Sequence, residues 1–567
     1  MITKLYSATF FGIDAIIVDV EVFITTGIPG VMIVGLPDAS TKESKDRVKA
    51  AIKNSGFEYP ARKITINLAP ADIRKSGPIF DLPLALGLLI SARLLTPVIN
   101  LEDYIIAGEL SLNGNINKID GVIALSMLAK KLNKKIIVPY ENLNETKYLG
   151  VEYYCFNTLS EVCDFITGAD KRDNLSVGDN SSSDESLKLI SKLQTSAEAI
   201  NGHDLFYDKN GGSTNAECDC GCRPPDDCGA AVINSLNGNK TADKNNYYPD
   251  FSNIKGHTTV KRAMEIAVAG HHNILIIGPP GSGKTMIAQG AAGILPPLSL
   301  EEAIELTNIY SFSHKKINID NGLITSRPFM PVHYSVTIPA LIGGGANPVP
   351  GDVSLAHNGV LFIDEFSEMN KKTLDSLRQP MEDKIIHISR NRFSVSFPCD
   401  FMLIAAMNPC PCGYLGDHTH ECRCSSADIY KFYNKLSGPI IDRFDIFAEV
   451  YSESLNIISN NISEESSEEV RDRINKAVQL QNRRFENMNK KFNASITSSE
   501  IDKFINISDE TLSFYKSAAE SLKLSSRGYF RVLKVARTIA DIDDKENVDE
   551  PSILEALNYR NTKFLGV

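Results

Sequence analysis

No stretch of this 567-residue chain approaches the roughly 20 apolar residues that a membrane-crossing helix needs. The most apolar run, Leu82 to Ile90, is far too short. An excess of positive charge is missing too: 59 Lys and Arg stand against 70 Asp and Glu, for a net charge of -11. Contact with a polyanion would have to come from local basic groups. The first residues, MITKLYSATFFGIDAIIVDV, alternate apolar with polar and carry Asp14 and Asp19, unlike a signal peptide. Without an export signal, the 11 cysteines point to a reducing, cytoplasmic setting, with metal binding or buried thiols expected before disulfides. These absences exclude a membrane protein, a secreted disulfide scaffold and a fibre. What remains is ordinary globular composition, 43% hydrophobic and 23% charged. The length predicts about three or four domains.

Residues 1–167 read as one α/β domain, with strands AIIVDVEVFI, KITINL and KIIVPY around helical stretches such as KESKDRVKAAIKNSG. The texture then changes. Residues 168–250 hold 14 Asp and Glu against 8 Lys and Arg, and Asn, Ser and Gly dominate. Such a segment buries too little apolar surface to offset its ordering entropy. It reads as an acidic low-complexity linker or insertion, with one short helix in ESLKLISKLQ. Strands and helices alternate again over 251–465, and 466–567 reads as helical, notably FRVLKVARTIADI and PSILEALNYR.

The most informative stretch is NILIIGPPGSGKTMIAQGAA. An apolar strand, 274–277, runs into Gly278, Pro279, Pro280, Gly281, Ser282, Gly283, Lys284 and Thr285, and a helix follows. This is the G-x-x-x-x-G-K-[ST] pattern, whose glycines turn backbone N–H groups onto phosphates. Lys284 is placed to reach the β/γ-phosphates and Thr285 to ligate Mg²⁺, and the helix N-terminus adds a favourable dipole. A second strand, GVLFI, ends in Asp364-Glu365, 79 residues after Thr285. Asp364 suits holding Mg²⁺ through water, and Glu365 suits polarising the water that attacks a phosphoryl group. A third, FMLIAAM, ends at Asn408, a candidate contact for the γ-phosphate or the water.

Together these pieces resemble the AAA+ ATPases, specifically the magnesium-chelatase-like (YifB/ComM) family. The motifs that carry the likeness are NLAPADIRKSGPIFDLPLALGLL, GPPGSGKT, SLAHNGVLFIDEF, AAMNPCPCGYLGD and LSGPIIDRFDI. The resemblance implies an α/β protein: a Lon-protease-like (S5-type) N-terminal domain, an AAA+ αβα P-loop core and a C-terminal helical lid. It implies a homo-oligomeric ring, usually a hexamer, with ATP and Mg²⁺ between subunits. Arg443, in GPIIDRFD, then looks like an arginine finger given to the neighbouring γ-phosphate, and Arg527, in LSSRGYFRVLK, like a sensor arginine of the lid. The family pattern RPFRAPHHS is RPFMPVHYS here, with Met330 and Tyr334 in place of an Arg and a His, so no role carries over to those two positions.

By the same resemblance the expected work is DNA remodelling, branch migration or helicase action in recombination or natural transformation. Branched or single-stranded DNA would pass the ring pore. MEDKIIHISRNRFSVSF reads as a β-hairpin, with Lys384, Arg390 and Arg392 as candidate phosphate contacts. LIGGGANPVPGDVS is a glycine-rich loop that resembles the helix-2 insertion of this AAA+ clade, a loop the resemblance implies would move with nucleotide state. A chelatase-type motor subunit and a nucleotide-dependent DNA scaffold are the alternatives. A Lon-type protease is disfavoured: Ile79 and Ile123 stand where its Ser and Lys would be, and neither can attack or accept a proton. Finally, Cys410, Cys412, Cys422 and Cys424 form C-x-C-x₉-C-x-C, a candidate structural Zn²⁺ site with His418 and His420 as other ligands. A second group, Cys218, Cys220, Cys222 and Cys228, lies in the acidic segment, and Cys155, Cys163 and Cys399 read as buried thiols.

Overall fold

The computed structural model describes residues 2–169, 248–313, 315, 322–345, 348–390, 393–417, 420–436, 438–451, 464–486, 488 and 490–560, with backbone alone at 390 and 393. The acidic segment's cysteines and expected helix, the Arg390 side chain, Arg392 and His418 lie outside the described residues. Two compact units divide the chain, and the division does not follow chain order: Ser299–Thr325 belongs with the N-terminal residues, and the rest forms the second unit. Among the described residues, no helix is long and apolar enough to cross a membrane.

The first unit is built on a seven-stranded mixed sheet in the order Gly30–Val34, Lys63–Ala69, Asp14–Thr25, Ile2–Phe11, Tyr104–Ile106, Lys135–Pro139, Tyr153–Phe156. The strand Asp14–Thr25 alternates, burying Val18, Val20 and Val22, as a strand with one covered face must. The apolar run found in the sequence becomes the helix Asp81–Ser91, buried from Asp81 through Ile90 and therefore central to this unit. Ile79 and Ile123 are core residues, 4% and 1% exposed. The helix Leu300–Ser311 starts at a capping box between Ser299 and Glu302. It is tied in by Asn308 Nδ2 donating to the Ile13 carbonyl at 3.0 Å and by Phe312 against Phe10.

The second unit centres on a five-stranded, all-parallel sheet: Phe329–Val332, Val360–Ile363, Met402–Met407, Ile274–Ile277, Ile446–Glu449. Its strands read as unbroken apolar runs because both faces are covered. Ile274 and Ile276 point into one core, Leu275 and Ile277 into the other. The first of these cores also takes Val470, Ile474, Val532, Ala536 and Ile553 from the C-terminal helices Ser467–Arg484, Ser526–Ile542 and Glu550–Asn558. Those helices thus share apolar core with the sheet. A buried polar knot joins two of them. Asp541 accepts from Arg484 (2.7 and 2.5 Å), from Arg537 (3.1 and 2.8 Å) and from Asn493 (2.7 Å).

Candidate active site

The strand Ile274–Ile277 sits between Met402–Met407 and Ile446–Glu449, so chain order reverses around it. A crevice opens at the carboxyl ends of strands at such a point. The glycine-rich loop occupies it. Gly281 and Gly283 have φ of +76° and +82°, where other residues are strained. A Cβ on Gly278 would meet the Val450 carbonyl oxygen at 2.4 Å. Gly283 caps the helix Lys284–Ile294, so the first N–H groups of that helix are left facing the loop.

Lys284 folds back into this loop. Its ammonium donates to the Gly278 and Pro279 carbonyls at 2.8 and 2.7 Å and to Asn408 Oδ1 at 3.2 Å. Burial holds its pKa below the ordinary lysine value, against the pull of Asp364. The charge is kept in a half-buried place by three acceptors that a polyphosphate would displace. Thr285 Oγ1 donates to Asp364 Oδ2 at 2.7 Å. A hydroxyl and a carboxylate side by side are hard oxygen donors of the kind Mg²⁺ takes, directly or through water. Asp364 Oδ1 also accepts from the Glu365 N–H at 2.9 Å, and Glu365 takes a left-handed φ of +50° with its side chain exposed. Three strand ends thus bring Lys284, Thr285, Asp364, Glu365 and Asn408 together.

Arg443 and Arg527 lie elsewhere. Both line a cavity of about 510 Å³, together with Lys384, Glu382, Arg531 and Lys534. His271, Asn273, Asp400 and Asp445 place that cavity at the amino ends of the same strands. Asn273 to Gly278 is five residues of strand, roughly 16 Å. Asn273 anchors this end: its side chain donates to the Arg443 carbonyl at 3.0 Å and accepts from the Leu403 N–H at 2.8 Å. Arg531 donates to the same Arg443 carbonyl at 3.1 Å and pairs with Asp445. The Arg443 guanidinium is buried and paired with Glu382 at 2.5 Å. Arg527 is exposed at the start of the helix Ser526–Ile542 and has no hydrogen-bond or ion-pair partner among the described residues. Asn273, Glu382, Arg531 and Lys534 escaped the sequence reading. Asn273 carried one signal, a polar residue directly before a buried strand.

The expected hairpin is present, Ile385–Arg390 against Phe393–Pro398, with Arg390 opposite Phe393. Ile386, Val395 and Phe397 bury its base. Lys384 is at that base, not the turn: it pairs with Asp400 at 2.8 Å and donates to Ser495 Oγ at 3.1 Å. The glycine-rich insertion forms a small antiparallel pair, Gly343–Gly344 with Val349–Pro350. A Cβ on Gly351 would meet the Gly343 nitrogen at 2.4 Å.

Directly after Asn408, Cys410, Cys412, Cys422 and Cys424 offer four sulfurs, all within 4.8 Å of one another. His420 is turned to Asp417 at 3.1 Å and is not in this group. Cys155, Cys163 and Cys399 are buried, and burial pushes the first two thiols up to about 12.

Three family models match the chain: "Subunit ChlI of Mg-chelatase" over residues 20–142, "Magnesium chelatase, subunit ChlI" over 250–457, and "Magnesium chelatase, subunit ChlI C-terminal" over 464–560. The competence protein ComM of Haemophilus influenzae is 37% identical, over 98% of this chain and 96% of its own length. The chain belongs to the magnesium-chelatase-like ComM/YifB family. YifB of Salmonella typhimurium is 38% identical over 97% of this chain and 95% of its own. A shorter likeness, 26% over 35% of this chain and 20% of the relative, reaches the DNA replication licensing factor Mcm2 of Drosophila melanogaster. The ComM/YifB family is AAA+-like. Its middle model covers both the glycine-rich loop and Asp364-Glu365.

Proposed function

We propose that this chain is an ATP hydrolase that works as a ring of identical copies and couples ATP turnover to DNA remodelling. One observation carries the reading. The phosphate-binding loop and the cationic cavity holding Arg443 and Arg527 occupy opposite ends of one parallel sheet. Arg443 cannot reach a nucleotide held by its own Lys284, so it serves one held by the next copy. Such head-to-tail pairing closes into rings.

Within a site of two copies, the loop N–H groups and Lys284 would bind the phosphates, and Thr285 and Asp364 would hold Mg²⁺, directly or through water. Glu365 orients and polarises the attacking water, while Asn408 senses its position. Arg443 and Arg527 of the adjoining copy neutralise charge as the bond breaks, which in other NTPases contributes ~10³–10⁵ in rate. Magnesium, when bound there, would neutralise part of the phosphate charge. The hairpin and the Gly343–Gly345 insertion are the parts that would meet DNA in a pore. The relatives named for competence and for DNA replication licensing support DNA as the substrate.

The test is ATPase activity with and without forked and four-way DNA. Wild type should be stimulated by DNA, Lys284→Ala and Glu365→Gln should lose turnover, and Arg390→Ala/Arg392→Ala should keep basal turnover and lose the stimulation. ATP hydrolysis that no DNA stimulates would remove DNA from the proposal and leave the chelatase-type motor.

A further inference from the structure

We propose that Cys410, Cys412, Cys422 and Cys424 bind one Zn²⁺ and that this centre braces the glycine-rich loop at Pro280, so that metal occupancy sets nucleotide affinity. The inference rests on the nucleotide reading of that loop.

Three sulfur separations are 3.3, 3.7 and 3.6 Å, for Cys410–Cys412, Cys410–Cys422 and Cys412–Cys422. A Zn–S bond of about 2.3 Å gives a tetrahedron edge of about 3.8 Å. The four thiols thus stand close to the geometry a tetrahedral ion needs, without a disulfide. Two separate segments supply them: the turn after Asn408, and the extended run that leads into the helix Ser426–Lys435. Backbone N–H groups of Tyr414 and Arg423 point to the Cys412 sulfur, as second-layer donors do in thiolate sites. Four sulfurs leave no open position for water, so the site is structural.

The loop has a reason to need it. After Pro409 and Cys410, no apolar side chain among the described residues is buried until Phe432; the buried side chain of Asp417, 2% exposed, is polar. A segment with so little core of its own is held by a cross-link or not at all.

The coupling follows from contact. Gly413 has φ +87°, and a Cβ there would lie 2.6 Å from Pro280 Cδ and 3.9 Å from Asn408 Cγ. The cysteine turn therefore presses on the phosphate loop itself. From the other side, Tyr433 Oη donates to the Pro409 carbonyl at 2.7 Å. Asn408, two residues before the first ligand, accepts from Lys284. A closed circuit results: cysteine turn, Asn408, Lys284, phosphate loop, cysteine turn. With the cross-link gone, Pro280 and Asn408 lose the support that holds them at their spacing.

The experiment uses the full chain purified without added metal. Metal content is measured by mass spectrometry, and affinity by a fluorescent ATP analogue. One zinc per chain is expected, and Co²⁺ exchanged into the site should give the absorption of a tetrahedral thiolate complex. Mercurial release and chelation of zinc from the folded wild type should weaken nucleotide binding about tenfold, and adding zinc back should restore it. Cys422→Ser/Cys424→Ser should lose both zinc and affinity. Gly413→Ala should keep its zinc and still lose affinity, which separates the brace from the metal site. A chain that binds the analogue while holding no zinc, or iron in zinc's place, overturns the site. Unchanged affinity on zinc removal overturns the brace. Zinc present in a chain that binds no nucleotide leaves the metal site standing and removes the nucleotide reading, and the brace with it.

Discussion

Glu382 closes on Arg443 with its carboxylate 2.5 Å from the guanidinium. The two partners are unequal: Arg443 is 9% exposed at its side chain and Glu382 52%. Arg443 is held by its surroundings, while Glu382 is free to leave. In the proposed two-copy site, a phosphate held by the adjoining copy would have to displace it. Glu382 is also in the last turn of the short helix Arg378–Asp383, which leads through Lys384 into the hairpin strand Ile385–Arg390. Release of Glu382 therefore acts at the root of the hairpin.

Glu382→Gln should raise basal ATP turnover several-fold while shrinking the further stimulation by DNA. The neutral amide keeps the shape and removes the competing charge. Steady-state ATPase assays with and without forked DNA read both quantities. Basal turnover at or below wild type would contradict the restraint.

Lys534 lies half-buried in the same cavity, donating to the Ala494 carbonyl at 3.1 Å. Burial, helped by the positive charges of Arg531, Lys384 and Lys490 and opposed by Asp445, pulls its pKa down to about 8. In the unfolded chain the value is about 10.4. Below pH 8 both states are protonated and the fold bears the full cost of the buried charge. That cost disappears as pH rises from about 8 to about 10.4. Lys534→Met should therefore raise the melting midpoint by a few degrees at pH 7 and by much less at pH 10. An equal shift at both values would contradict the assignment.

Asp541 gathers Arg484, Arg537 and Asn493 inside the C-terminal helices. Asp541→Asn leaves the buried Arg537 guanidinium and the half-buried Arg484 guanidinium without their carboxylate. The expected loss is about 3–5 kcal/mol, because breaking one side of a buried network strands the other. Urea unfolding followed by helical circular dichroism measures it. A loss below about 1 kcal/mol would mean that water reaches the knot.

The parts legible in the sequence are those written in local pattern. The strands 274–277 and 360–363 are apolar runs stopped by glycine or by an acidic pair, and the structure gives them those same bounds. Residues made functional by tertiary approach left no such mark. Glu382 meets Arg443 across 61 positions, and Arg531 reaches the Arg443 carbonyl across 88. Lys384 shows the limit from the other side. Reading it as a phosphate contact of the hairpin used its nearness to Arg390 in sequence. Its cap position at φ +56° and its pairing with Asp400 place it at the root. Similarly, Ser299–Thr325 reads in sequence as part of the nucleotide core, yet it folds with the N-terminal unit. Its anchors are single contacts such as Asn308 to Ile13, which no periodicity announces.

The central claim, that one ATP site is completed by two copies, is tested most directly by mixing. Lys284→Ala and Arg443→Ala should each be inactive alone. When the two are unfolded, mixed in equal amounts and reassembled, a random ring joins an intact loop to an intact arginine at about a quarter of its interfaces, half times half. ATP turnover near a quarter of wild type is the predicted result. Mixed rings that form and stay inactive would contradict it.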